Sequence, residues 1–423
     1  MHTSSRLIRL GPCGALALSL ALIGCGSAQN QNCPNCTLSA AQFLVATTTS
    51  GQILRFPIKG LAGLGAPISI PGPANSTGIA VGTPSGGSTF QIIVYVSDPQ
   101  NNAIDGFSVS KTDGSLSALA SSPFPMGTTG GGPASLTVFG NLLYAASTDG
   151  SIVAFSIAPS GSLTILSGSP FAAGAMPLQI LPFPSASVPN TTFFFAADFA
   201  DASGSISGYS LSQSGVLTPV PGSPFPTLSG SGPAGMLGAG NFLDVALEHA
   251  NAIAVFSVSS TGGLSQIPGS PFPAGHGTSS LAAASGFLYA LNSSDHTISV
   301  FTIDPLAGSL APAPASTVTA GTASGQLLYN NGMLYAPDPT ANAIQIFSAN
   351  PMTGALTPLM GSPFVVGAAP IALAVVSFPA VDPPKWAFAK AAFLKARAMV
   401  PRSRECNSRN TSSTHLCPDD PCP

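Results

Sequence analysis

Four ionisable side chains fall together in a chain that is otherwise nearly uncharged: Asp244, Glu248 and His249 within six residues, and His276 further on. Carboxyl and imidazole groups within hydrogen-bond reach of one another can give and take protons at a bound substrate, so these four are the candidates for general acid–base chemistry. Asp244 is the odd member, because comparable segments carry Tyr144, Tyr289 and Tyr335 in its place. A carboxyl in a half-buried strand needs a partner or a raised pKa. The plainer alternative is a satisfied structural aspartate and two exposed loop histidines. A second series consists of Asp98, Asp149, Asp198, Asp201, Asp295 and Asp338, with His296 beside Asp295. Together with carbonyl oxygens, such a rim of carboxylates could hold Ca²⁺ or another cation. Equally, aspartates in segments such as Ser97-Asp98-Pro99-Gln100-Asn101 are turn residues whose side chains bond nearby backbone. Both readings stay open, and no metal is specified. No Gly-x-Ser-x-Gly elbow and no phosphate-cradling glycine loop opens a helix, so the residues call for no organic cofactor.

The elements that must position these groups form a repeat. Gly-Ser-Pro-Phe stands at 168–171, 222–225, 269–272 and 361–364, with Ser121-Ser122-Pro123-Phe124 as a variant. Successive phenylalanines are 47, 54, 47 and 92 residues apart, the last spacing being two steps of 46. A second series recurs seven times, from Ile53-Leu54-Arg55-Phe56 through Ile152-Val153-Ala154-Phe155 to Ile344-Gln345-Ile346-Phe347. Short runs of branched and aromatic residues divided by Gly, Pro, Ser and Asn read as antiparallel strands. Four strands per unit and seven units predict an all-β chain, a single seven-bladed β-propeller. Blades two to seven are expected near 76–122, 133–169, 177–223, 233–270, 279–315 and 324–362. The first blade is completed from both ends, Phe43-Leu44-Val45-Ala46 pairing with the stretch 370–376, which closes the ring and removes two free edges. The Phe of each motif should pack between neighbouring blades and its Pro should end the outer strand. Blade six has Ala313-Pro314-Ala315-Ser316 where the motif belongs.

Composition and the two ends bound the rest. Only 6% of residues are charged, far below the quarter or so of an ordinary soluble domain, so the surface is built from Ser, Thr, Gly, Asn and Pro. The ring holds three basic residues, Arg55, Lys59 and Lys111, against eleven acidic ones, which argues against nucleic acid as a partner. Residues 1–24 resemble a bacterial lipoprotein signal: Arg6 and Arg9, an apolar run, then Leu22-Ile23-Gly24-Cys25. That resemblance implies cleavage before Cys25, lipidation of its thiol, and export to the cell envelope as a membrane-anchored chain. Residues 25–40 would be a tether, 41–380 the propeller, and 381–423 a basic, Cys-containing extension carrying seven of the twelve Lys and Arg. That extension reads as a disordered tail, with an amphipathic stretch around Trp386, Phe393 and Leu394 as the alternative. A monomer is expected.

Taken together, Phe-Leu-Tyr-Ala, then Ile-x-Val-Phe, then Gly-x-Leu-Thr-x-x-x-Gly-Ser-Pro-Phe resembles the lactonase-like family of seven-bladed propellers, which includes propeller-type 6-phosphogluconolactonases. The resemblance covers about 43–378. It implies lactone hydrolysis by basic and acidic groups at the channel mouth, often His-Pro-Arg before the innermost strand. The corresponding positions here are Gly132-Pro133-Ala134, Met176-Pro177-Leu178 and Gly232-Pro233-Ala234; the proline is kept and the ionisable neighbours are not. Two functions follow: a lipid-anchored envelope propeller serving as a binding or scaffold module for a protein, peptide or glycan, or a lactonase-like hydrolase with a degenerate site.

Overall fold

The computed structural model of the chain describes residues 42–86, 91–128, 130–200 and 204–378. Cys25, the signal, the tether, Asp201 and the basic extension lie outside the described residues. Seven antiparallel sheets form the ring, each running outward from an innermost strand. In blade one the order is Pro370–Ser377, Gln42–Thr48, Gln52–Pro57 and Ile68–Pro71. Gln42 lies opposite Ser377 and Leu44 opposite Val375, so the two ends of the ring close one sheet as the sequence predicts. The core is divided into apolar layers, one between each pair of neighbouring blades. The motif phenylalanines fill these layers. Phe225 of blade four, for example, packs with Leu243, Val245 and Phe256 of blade five.

The prolines of the motif do not end the outer strand, as the sequence reading expected. They divide it. In blade four the outer strand Leu217–Pro219 pairs with the third strand, breaks at Gly222-Ser223-Pro224, and resumes as Phe225–Pro226 on that same third strand. The Ser-Pro bond is cis in all five copies. The break leaves one third-strand N–H with no backbone acceptor, and the motif serine takes it. Gly208 N–H donates to Ser223 Oγ at 2.9 Å, and the same bond recurs from Gly106 to Ser122 (3.0 Å), Ala154 to Ser169 (2.9 Å), Val255 to Ser270 (2.8 Å) and Ile346 to Ser362 (2.9 Å). The carbonyl of that same residue accepts from the chain just before the break, as in Val220 N–H to Gly208 O at 3.0 Å. Gly168, Gly222, Gly269 and Gly361 stand at φ of 83–91°, a conformation open to glycine and strained for other residues. Blade six, without the motif, carries one continuous outer strand, Leu310–Thr319, with a bulge between Ser299 and Phe301.

Ser223→Ala leaves a partly buried N–H unpaired and should cost about 1–3 kcal/mol. Urea unfolding would read this as a lower midpoint with an unchanged slope. Ser→Ala at an exposed hairpin such as Ser160 should leave the midpoint where it is.

Candidate functional site

Two kinds of connection share one face of the ring: the turns between second and third strands, and the loops that feed each innermost strand. Apart from Asp244, which lies within a strand, the described candidate residues sit there. Glu248 directly follows the second strand of blade five, Phe242–Leu247, and its N–H donates to Gly232 O at 2.9 Å. It lines a cavity of about 540 Å³ bounded by the innermost strands of all seven blades. The rest of the wall is aliphatic side chains with hydroxyls and amides such as Thr77, Ser135, Gln179 and Ser279, and among the described residues Glu248 is the sole ionisable one that lines it. Burial raises its carboxyl above the ordinary glutamate range, and the charge of neighbouring His249 opposes this in part. Ser279 Oγ, on the same wall, is buried without a hydrogen-bond partner. Blades five and six come close here: a Cβ on Gly235 would lie 2.6 Å from Ser279 O, an approach comparable to that of Gly325 to Ile371 O between blades seven and one.

The other candidates do not converge on this wall. His249 is exposed and turns toward blade four, its ring 5.0 Å from that of Phe199. His276 is also exposed, and its backbone N–H donates to Asp295 Oδ2 at 2.6 Å. Asp244 is 1% exposed and lies between Leu237 and Val255 in register. Both belong to the apolar layer between blades five and six. No hydrogen bond joins any two of the four side chains. The acid–base group read from the sequence therefore reduces, at the cavity, to Glu248. Ser279 carried no sequence signal: it is one serine in a run of them, and only ring closure brings it opposite Gly235.

The rim aspartates divide into two groups. Asp98, Asp198 and Asp338 are buried and close their own loops. Asp98 accepts from Asn101 N–H at 3.2 Å and from Asn101 Nδ2 at 2.7 Å. Asp198 accepts from Gly174 N–H (3.1 Å), Ser205 Oγ (3.0 Å) and Ser207 Oγ (2.8 Å). Asp338 ties Thr322, Ala341 and Gln345. Asn292 does the same in blade six, bridging Gly275, Thr278 and Ser299. Asp149, Asp295 and His296 are exposed, and Asp149 accepts from Ser151 N–H and Oγ. Among the described residues no three His, Cys, Asp or Glu side chains gather as ligands for a metal.

Asp244 has a structural explanation in what it replaces. Tyr95 and Tyr144 donate across the blade boundary to Gly161 O and Gly215 O, each at 2.8 Å. Aspartate is too short to make that bridge, and its Oδ2 is buried without a partner. Desolvation alone pushes its pKa up to about 7. In the unfolded chain this carboxyl loses its proton near the ordinary value of 3.8. Between that value and about 7 the folded state holds a proton that the unfolded state lacks, so stability falls as pH rises through this window and levels off above it. From pH 5 to 8 the fall should be roughly 3 kcal/mol, two units at about 1.4 kcal/mol each. Denaturant unfolding at several pH values should show this slope in the parent chain and its loss in Asp244→Asn.

No family model and no curated protein matches the chain. Solved structures do. A protein provisionally named a 6-phosphogluconolactonase, from Bacteroides fragilis, superposes with a TM-score of 0.64 at 21% identity, over 81% of this chain and 100% of its own. The periplasmic gluconolactonase of Pseudomonas aeruginosa gives 0.66 at 18% identity over 81% and 100%. A second provisional 6-phosphogluconolactonase, from Bacteroides uniformis, gives 0.63 at 20% over 80% and 100%. Likeness at this level of identity establishes architecture: the chain is a seven-bladed β-propeller of the same fold as these proteins.

Proposed function

We propose that this chain is a lipid-anchored propeller of the cell envelope that binds an uncharged ligand rich in hydroxyl or amide groups, a glycan or a peptide segment, in its central channel. The observation that carries this reading is the channel wall itself. A cavity of about 540 Å³ offers hydroxyls, amides and aliphatic surface around a single carboxyl. Such a wall suits a neutral, polar ligand that donates a hydrogen bond to Glu248. A phosphorylated ligand would require cations to meet its charge, and the described residues of the wall provide none.

The names of the fold neighbours favour a second reading, a lactonase-like hydrolase. In that chemistry Glu248 would take a proton from water as the water oxygen adds to the lactone carbonyl. The ring C–O bond then breaks, and the departing alkoxide receives the proton.

Both readings meet in one variant. Neutral sugars and short peptides that bind the parent should raise its melting temperature, and Glu248→Gln should lower their affinity about tenfold or more. Hydrolysis of gluconolactone by the parent, measured beside Glu248→Gln, should show the same background rate in both. A parent rate well above background that falls in the variant would establish the hydrolase instead.

A further inference from the structure

One hairpin recurs at the same place in every blade, between the third and fourth strands, and closes with a backbone bond from its first residue. The bonds Ser110 N–H to Ser115 O, Asp304 N–H to Ser309 O, Asn350 N–H to Ala355 O and Lys59 N–H to Gly63 O are examples. Two residues beyond that first residue lies the hairpin tip. In blades two to five the tip is Thr112, Ser160, Ser214 and Thr261. In blades six, seven and one it is Leu306, Met352 and Leu61, which are 90%, 85% and 75% exposed. The three apolar tips are consecutive around the ring. Nothing in the hairpin calls for them, since Leu306 and Met352 enter the local turn only through backbone N–H bonds to Asp304 and Asn350. Scattered exposed apolar residues need no explanation, but an apolar arc replacing a polar slot in three neighbouring repeats marks a contact surface.

Two further observations indicate what this arc meets. Both ends of the ring leave on its face: Gln42 lies opposite Ser377, and Ile58, which leads into the Leu61 hairpin, donates to Gln42 O at 3.0 Å. Charge also differs between the two faces. The hairpins on this face carry Lys59 and Lys111 beside Asp113 and Asp304, whereas the opposite face carries Asp98, Asp149, Asp198, Glu248, Asp295 and Asp338. An anionic surface is repelled by the second face and not by the first. The sixteen residues between Cys25 and Gln42 reach at most about 55 Å when extended, enough to let the ring settle back onto the surface that holds its anchor.

We propose that this face lies on a lipid bilayer, with Leu306, Met352 and Leu61 entering the interfacial layer and the channel mouth directed away. The contact is separate from lipidation of Cys25, and the test removes that lipid. The ring closes between Gln42 and Phe378, so a chain starting at Gly26 keeps every element of the fold. Its co-flotation with vesicles of phosphatidylethanolamine and phosphatidylglycerol is compared with that of a triple variant, Leu61→Ser, Leu306→Ser and Met352→Thr. These replacements are the residue types that the same slot holds in other blades. The parent should float with the vesicles, and the variant should bind at least tenfold more weakly at an unchanged melting temperature. A parent that stays in the aqueous fraction, or a variant that floats as well as the parent because the basic extension alone makes the contact, overturns the proposal.

Discussion

In five blades a serine hydroxyl stands in for a backbone carbonyl, and the rest of the ring depends on that substitution. The outer strand of each blade has to do two things: pair with the third strand, and deliver a large aromatic into the layer shared with the next blade. An undivided strand does the first, as Leu310–Thr319 does in blade six with a bulge opposite Val300. Breaking it at Ser-Pro frees the chain to drop Phe225 or its counterparts into the interblade layer. The break would also leave a half-buried N–H unpaired, at a cost comparable to the gain from burying part of the ring. Ser Oγ removes that cost. The motif is thus a packing device and a hydrogen-bond repair in four residues, and this explains why serine, which adds almost no apolar area, recurs as regularly as phenylalanine.

The same economy shapes the channel. Side chains near the axis link neighbouring blades through hydrogen bonds: Thr77 Oγ1 to Ala134 O at 2.8 Å, Ile180 N–H to Ser135 Oγ at 3.3 Å, and Leu327 N–H to Ser280 Oγ at 2.8 Å. Hydroxyls that serve the ring in this way leave the channel polar but neutral. At the boundary between blades five and six, Asp244 stands in the slot from which Tyr95 and Tyr144 bridge two other boundaries, and Gly235 approaches Ser279 as Gly325 approaches Ile371 between blades seven and one. Glu248 and the unpartnered Ser279 Oγ line the channel at this boundary.

Much of the architecture could be read from residue order, because the period of the phenylalanines and the alternation of strands such as Ile253-Ala254-Val255-Phe256 are local properties of the chain. The clasp between Gln42–Thr48 and Pro370–Ser377 followed by counting strands. The site was harder to read. Asp244 and Glu248 are four residues apart, yet one enters an apolar layer and the other the channel. Both faces of the strand Phe242–Leu247 are buried, so alternation gave no sign of which face met which neighbour. The role of Glu248 depends on its N–H reaching Gly232 and on the ring closing around the channel, both non-local events. The serines of the motif were visible as a repeat, but their acceptor role requires knowing that the outer strand resumes after the break.

The central claim is that the channel is an uncharged cavity with one carboxyl on its wall. The chain contains only two glutamates, Glu248 and Glu405, so carbon-13 labelling of glutamate carboxyls gives two signals, assigned by the loss of one in Glu248→Gln. The account predicts that the Glu248 signal titrates above the ordinary glutamate range, because burial in a neutral wall disfavours its charged form. A midpoint at or below that range would contradict it, since the His249 charge and hydrogen-bond donors would then outweigh burial at the carboxylate.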